Sequence, residues 1–137
     1  MKLLGIDYGR RRIGMAITDT NGDYIRGLNT IDCLKYGDYI NAVCLVINAE
    51  NPSVVVVGLP LDLNGGDTTM SYEVRAFAAN IAERTRMPIV FVDESLSSVH
   101  AAQIMQFKRK KERRSKEGID RIAACLILEH YKKEHAD

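Results

Sequence analysis

Three carboxylates stand where the chain changes its local character, and together they could hold a divalent cation. Asp7 ends the apolar run LLGI and precedes an arginine-rich turn in GIDYGRRRIGMAITD. Glu94 follows the apolar stretch PIVFVD, with Asp93 beside it, and Asp120 opens the periodic stretch GIDRIAACLILEHY. Asp is disfavoured within strands, and burying its charge without a partner is costly. Asp7 therefore lies at an exposed strand end or meets a cation there. A few carboxylates that leave room for water and phosphate suit Mg²⁺ or Mn²⁺, hard ions that take oxygen ligands. Plainer readings exist for the other two. Asp120 near a helix start could serve the helix dipole and cap free N–H groups, and Glu94 could be a solvated strand end. The pattern alone does not choose between Asp93 and Glu94.

Two basic groups flank these acids. Arg10, Arg11 and Arg12 adjoin Asp7. Residues 108–116, KRKKERRSK, hold Lys108, Arg109, Lys110, Lys111, Arg113, Arg114 and Lys116, seven basic positions in nine. The formal net charge of +1 hides this local imbalance. Such a run is often a solvated loop, yet it lies just before Asp120, and phosphate backbones attract such clusters regardless of base sequence. No aromatic ladder interleaves it, so base stacking has little to work with. Acids that bind metal between basic groups that hold a polyanion form the pattern of a phosphodiester-cleaving site. His100, near Glu94 in sequence, is a remote candidate proton carrier, and His130 and His135 read as helix-face residues.

These residues need a scaffold. Residues 2–8, 12–19 and 24–31 read as three strands of an antiparallel meander, with Asn21-Gly22 as a turn. Residues 36–50 carry Tyr39, Ala42, Val43, Val46 and Ile47 at helical spacing. Residues 53–59, SVVVVGL, are apolar on both faces, as in a central parallel strand. Helices are expected over 69–86, with Val74, Phe77, Ala78 and Ile81 inward, over 97–107, and over 119–131, with Ile119, Ile122, Ala123, Leu126 and Ile127 inward. A further strand covers 88–93. The order βββαβαβαα implies an α/β fold, a mixed sheet with helices on both faces. In such sheets sites gather beyond the carboxyl ends of strands, where Asp7 and Glu94 both fall. A length of 137 residues, 46% hydrophobic and 27% charged, suits one domain, 1–137. No run approaches membrane-spanning length. Three separated cysteines, without metal-site spacing, fit reduced thiols in a cytoplasmic protein.

DYGRRRIGMAITD, VVVVGLPLDLNGG, FVDESLSS and GIDRIAACLILEHY resemble, in order and over nearly the whole chain, the four blocks of the YqgF family, also called RuvX. Its members are described as Holliday-junction resolvases or pre-16S rRNA nucleases. The resemblance implies a ribonuclease H-like five-stranded sheet of order 3-2-1-4-5 with strand 2 antiparallel. It implies Asp7, Glu94 and Asp120 as the catalytic, metal-binding acids, with one or two Mg²⁺ or Mn²⁺ ions, and favours Glu94 over Asp93. Gly9, Gly58 and Pro60 would shape the floor of the site. One departure stands out: Ser95 occupies the position where the family often has Arg, while Ser97 and Ser98 suit helix capping. The implied partner is nucleic acid, with pre-rRNA, in a ribosomal precursor, ahead of branched DNA. No membrane partner is expected, and a monomer or weak dimer is. Rival readings are a non-catalytic RNA-binding module for ribosome assembly and a sugar-kinase or actin-like ATPase. The latter needs two such domains and is further disfavoured by the lack of a GxxxxGK[ST] loop.

Overall fold

The computed structural model describes residues 1–94 and 116–135, with side chains from 121 onward in the second stretch. The expected helix over 97–107 lies outside them. The elements are β1 (Leu3–Asp7), β2 (Arg12–Thr18), β3 (Ile25–Gly27), β4 (Ile31–Asp32), α1 (Tyr39–Glu50), β5 (Val54–Leu59), α2 (Thr69–Thr85), β6 (Ile89–Asp93) and α3 (Lys116–Glu134). The sheet runs β3-β2-β1-β5-β6, with β4 also paired to β2. β1 and β2 are antiparallel, whereas β1, β5 and β6 are mutually parallel. With β4 set aside as an extra two-residue pairing, this is the expected order, and β2 is the antiparallel strand.

The third expected strand, 24–31, is split in two. Ala16 faces Gly27, but Ile13 faces Ile31, so one extra residue is accommodated opposite β2. That is a bulge, and it falls in the stretch Leu28-Asn29-Thr30, beside a glycine that pairs poorly. α1 starts at Tyr39 rather than 36, because Asp38 caps it by accepting the Asn41 N–H at 3.0 Å. It ends where Asn51 turns left-handed at φ 48° before Pro52. α2 opens with a reciprocal box: Thr68 Oγ1 accepts the Ser71 N–H at 3.0 Å, and Ser71 Oγ accepts the Thr68 N–H at 2.7 Å.

The strands alternate sides, and each face of the sheet has its own core. Leu4, Ile6, Met15, Val55 and Val57 pack with Val43 and Ile47 of α1 and Val74, Phe77 and Ile81 of α2. Leu3, Ala16, Val56 and Val92 pack with Ala124, Ile127 and Leu128 of α3. Of the residues expected inward on α3, Leu126 and Ile127 are buried; Ala124 and Leu128 join them and lie on the sheet, while Ile122 and Ala123 are only half-buried. Gly5 is the reason. A Cβ there would lie 2.7 Å from Leu128 Cγ and 3.0 Å from the Ala124 carbonyl oxygen, so the bare backbone admits the helix.

Candidate active site

Asp7 is the last residue of β1, paired with Gly14 of β2. The strand thus stays apolar until its carboxyl end and leaves the acid half-buried at the rim. Alternation puts Asp7 on the same face as Leu3 and Gly5, the face that α3 covers. Glu94 directly follows β6, and its N–H still donates to the Leu59 carbonyl at 2.9 Å. It shares the side of Val92, again the α3 face. Its side chain is 11% exposed, whereas Asp93 is exposed and belongs to the opposite face.

β5 runs between the two acids. The pairing Ile6↔Val57, carried one residue further, sets Asp7 level with Gly58, and Gly58 itself pairs with Val92. A Cβ on Gly58 would lie 2.7 Å from Ile127 Cδ1 and 2.9 Å from Glu94 Cγ. Glycine is therefore required where the helix, the sheet and the second acid converge. Gly9 is similarly tight, since a Cβ there would lie 2.6 Å from the Arg12 carbonyl oxygen. Pro60 accepts the Thr68 hydroxyl at 2.7 Å, which ties the loop after β5 to the start of α2. Within that loop Asp62 Oδ1 accepts the N–H groups of Asn64 and Gly66, and Asp67 Oδ1 accepts Ser71 Oγ–H and Arg75 Nε–H. Those two acids serve the loop.

Burial pushes the Glu94 carboxyl up to about 7. A hydrogen bond and the charge of His130 oppose that rise, while Asp93 and Glu134 add to it. His130 Nδ1 lies 3.4 Å from Glu94 Oε1, and its Nε2 lies 3.1 Å from Glu134 Oε1. The sequence offered little to single out His130, because the contact joins residues 36 apart. Its one signal was its place three residues after Ile127, on the flank of the apolar stripe.

Asp120 is the fifth residue of α3, past its first turn, so the helix start does not account for it by capping. Its side chain lies outside those described. So do the side chain of Lys116 and the whole of Lys108, Arg109, Lys110, Lys111, Arg113 and Arg114, as well as Ser95, Ser97, Ser98 and His100. Among the described residues no three His, Cys, Asp or Glu side chains gather as a metal site. The two described acids nonetheless fit a hard cation. All their donors are oxygens, and a carboxyl driven toward neutrality by burial regains its charge beside a positive ion.

The arginines beside Asp7 are engaged. Arg10 grips Glu73 of α2, with Nη2 at 2.6 Å and Nε at 3.0 Å from Oε1, and Arg11 lies 3.4 Å from Asp32. Arg12 is half-buried. Arg121, absent from the sequence-based set, lays its stem over Gly27, and its Nε is buried without a hydrogen-bond partner. His135 Nδ1 bonds the Tyr131 carbonyl at 2.9 Å, a helix-face role as expected.

The family model described as "RuvX: Holliday junction resolvase" matches residues 1–134. The chain belongs to the RuvX family. Among RuvX relatives, a Synechococcus elongatus protein named "Putative pre-16S rRNA nuclease" is 32% identical over 98% of this chain and 90% of its own length. One of the same name from Oleidesulfovibrio alaskensis is 37% identical over 96% of this chain and 91% of its own. Thermus thermophilus RuvC superposes with a TM-score of 0.59 at 15% identity, covering 98% of this chain and 96% of that one. The Fowlpox virus resolvase, solved with Holliday junction DNA, gives 0.65 at 14% identity over 100% of both chains. At those identities the likeness is one of fold: the RuvX chain has the ribonuclease H-like fold of the RuvC resolvases.

Proposed function

We propose that this protein is a metal-dependent nuclease that hydrolyses phosphodiester bonds in pre-16S rRNA during ribosome biogenesis. The observation that carries this reading is the pair Asp7 and Glu94. Both stand at the carboxyl ends of parallel strands, on one face of the sheet, with only the bare backbone of Gly58 between their strands. Family membership supports the reaction class, and the names of the relatives favour the RNA substrate. Asp7, Glu94 and Asp120 are the residues assigned to hold one or two Mg²⁺ or Mn²⁺ ions. Such an ion, when bound, supplies a Lewis acid and a more acidic water. Asp7 ends β1 and Glu94 directly follows β6, so the sheet fixes the backbone of both acids. Gly58 lets Ile127 and the Glu94 side chain lie against the backbone of β5, and Gly9 lets the turn after Asp7 close on the Arg12 carbonyl. Arg10, Arg11 and Arg12, with Lys108, Arg109, Lys110, Lys111, Arg113, Arg114 and Lys116, are assigned to the polyanion. Among the described residues no helix is long and apolar enough to cross a membrane. We place the protein in the cytoplasm, as one domain acting as a monomer or weak dimer.

A DNA junction is the second reading, favoured by the likeness to a resolvase solved on that substrate. One experiment separates the two. Labelled pre-16S rRNA fragments and a four-way DNA junction are incubated with Mn²⁺ or EDTA, using wild type and Asp7→Asn. The expected result is Mn²⁺-dependent cutting of the RNA, lowered about a thousandfold or more in the variant, with an unchanged melting temperature. Cutting of the junction alone would move the substrate to DNA. Equal cutting by Asp7→Asn would remove Asp7 from the site. Binding without cutting of either substrate would leave a ribosome-assembly module.

A further inference from the structure

Among the described residues Glu94 is held at three points, and the third is a residue that the proposed reaction has not used. Its backbone is pinned by the N–H bond to Leu59. Its Cγ is walled by the Gly58 backbone, where even a Cβ would come within 2.9 Å. Its head meets His130, whose Nδ1 is 3.4 Å from Oε1. The ring of His130 is braced on its far side by Glu134, 3.1 Å from Nε2 and one helical turn onward. α3 brings His130 there, because Ile127, three residues before it, packs over Gly58.

We propose that His130 is a positioning residue for metal binding: it fixes the Glu94 carboxylate, through Oε1, in the conformation that receives the cation. This rests on Glu94 being a metal ligand. A glutamate side chain has three soft torsions, and fixing them costs rotamer entropy. A second contact that fixes them beforehand raises affinity without touching the ion. Ligating carboxylates held by such outer contacts typically lose about 10–100-fold in metal affinity or activity when the contact is removed. The Nδ1 position matters. Asn places its amide group near where Nδ1 stands, so His130→Asn keeps a polar partner for Oε1, whereas His130→Ala removes it.

The test is Mn²⁺ binding to the metal-free protein, followed by the electron paramagnetic resonance of free Mn²⁺ and by calorimetry. Wild type, Glu94→Gln, His130→Ala and His130→Asn are compared, with melting temperatures alongside. Glu94→Gln is expected to lose the site. His130→Ala is expected to bind about 10–100-fold more weakly at an unchanged melting temperature, and His130→Asn to recover most of that loss. If Glu94→Gln loses Mn²⁺ but His130→Ala binds as wild type does, the positioning role is overturned and the metal site stands. Equal weakening by Ala and Asn would also overturn it, since the polar contact would then count for nothing. If Glu94→Gln binds as tightly as wild type, Glu94 is not a ligand and both readings fall.

Discussion

The two faces of this sheet are made by the same strands and do opposite work. On one side Leu4, Ile6, Val55 and Val57 present only hydrocarbon to α1 and α2. On the other the same strands present Gly5, Asp7 and Gly58, with Glu94 following β6 on that side. The first face is filled by side chains and derives its stability from their burial. The second has a core of its own around Leu3, Ala16, Val56 and Val92 but is bare at Gly5 and Gly58, where α3 lies close and the acids sit at the rim. One residue of offset along a strand therefore separates a packing role from a chemical one.

Removing a side chain from the filled face tests this division most strongly. Ile6 is fully buried there, next to Asp7 but on the opposite side. Ile6→Ala is expected to cost about 2–5 kcal/mol in urea unfolding, as large-to-small changes in cores do. Under conditions where it stays folded, its Mn²⁺ affinity should match wild type. A variant that lost Mn²⁺ binding while still folded would show that the faces are not independent.

Adding a side chain to the bare face is the converse experiment. Gly58→Ala forces a methyl against Ile127 and Glu94, and such overpacking typically costs about 1–3 kcal/mol. Unlike Ile6→Ala, it should also weaken Mn²⁺ binding, because Glu94 must shift to make room. Normal Mn²⁺ affinity in Gly58→Ala would mean that the glycine serves only helix packing.

The filled face was the legible one. The apolar run of β5 and the spacing of Val74, Phe77, Ala78 and Ile81 report burial directly, so a doubly covered central strand and the inner face of α2 follow from pattern, whereas the strand order came only from the family resemblance. The bare face was not legible in the same way. A glycine does not say what will approach it, and the packing of α3 on Gly5 buries Ala124 and Leu128 beside the expected Leu126 and Ile127, leaving Ile122 and Ala123 half-buried. Asp7 could be read because a carboxylate ending an apolar strand is anomalous. Asp93 and Glu94 could not be separated by pattern, since strand alternation assigns faces only once a register is known. His130 and the partners of the arginines depend on contacts distant in sequence. Arg10 meets Glu73 across 63 residues, so what reads as a free basic cluster is tied in part to acids.

The smallest expected effect is also the one that asks whether the second face is truly dry around its acid. Burial holds the Glu94 carboxyl at about 7, above its ordinary value of 4.5. The folded protein therefore binds more protons than the unfolded chain between those values, and stability falls as pH rises through that window. Below pH 4.5 both forms are protonated and the penalty is absent; above about 7 it is fully present. Replacing the group with a neutral isostere removes it. In EDTA, Glu94→Gln is expected to gain on the order of 1–3 kcal/mol relative to wild type between pH 4.5 and pH 8, read from urea unfolding at each pH. Mn²⁺ should reverse the comparison at pH 8, stabilising wild type and leaving the variant unmoved, because binding to the folded state alone adds to its stability. A difference that stays flat with pH would mean that water reaches the carboxylate. The bare face would then be an open cleft rather than a desolvated seat for a cation.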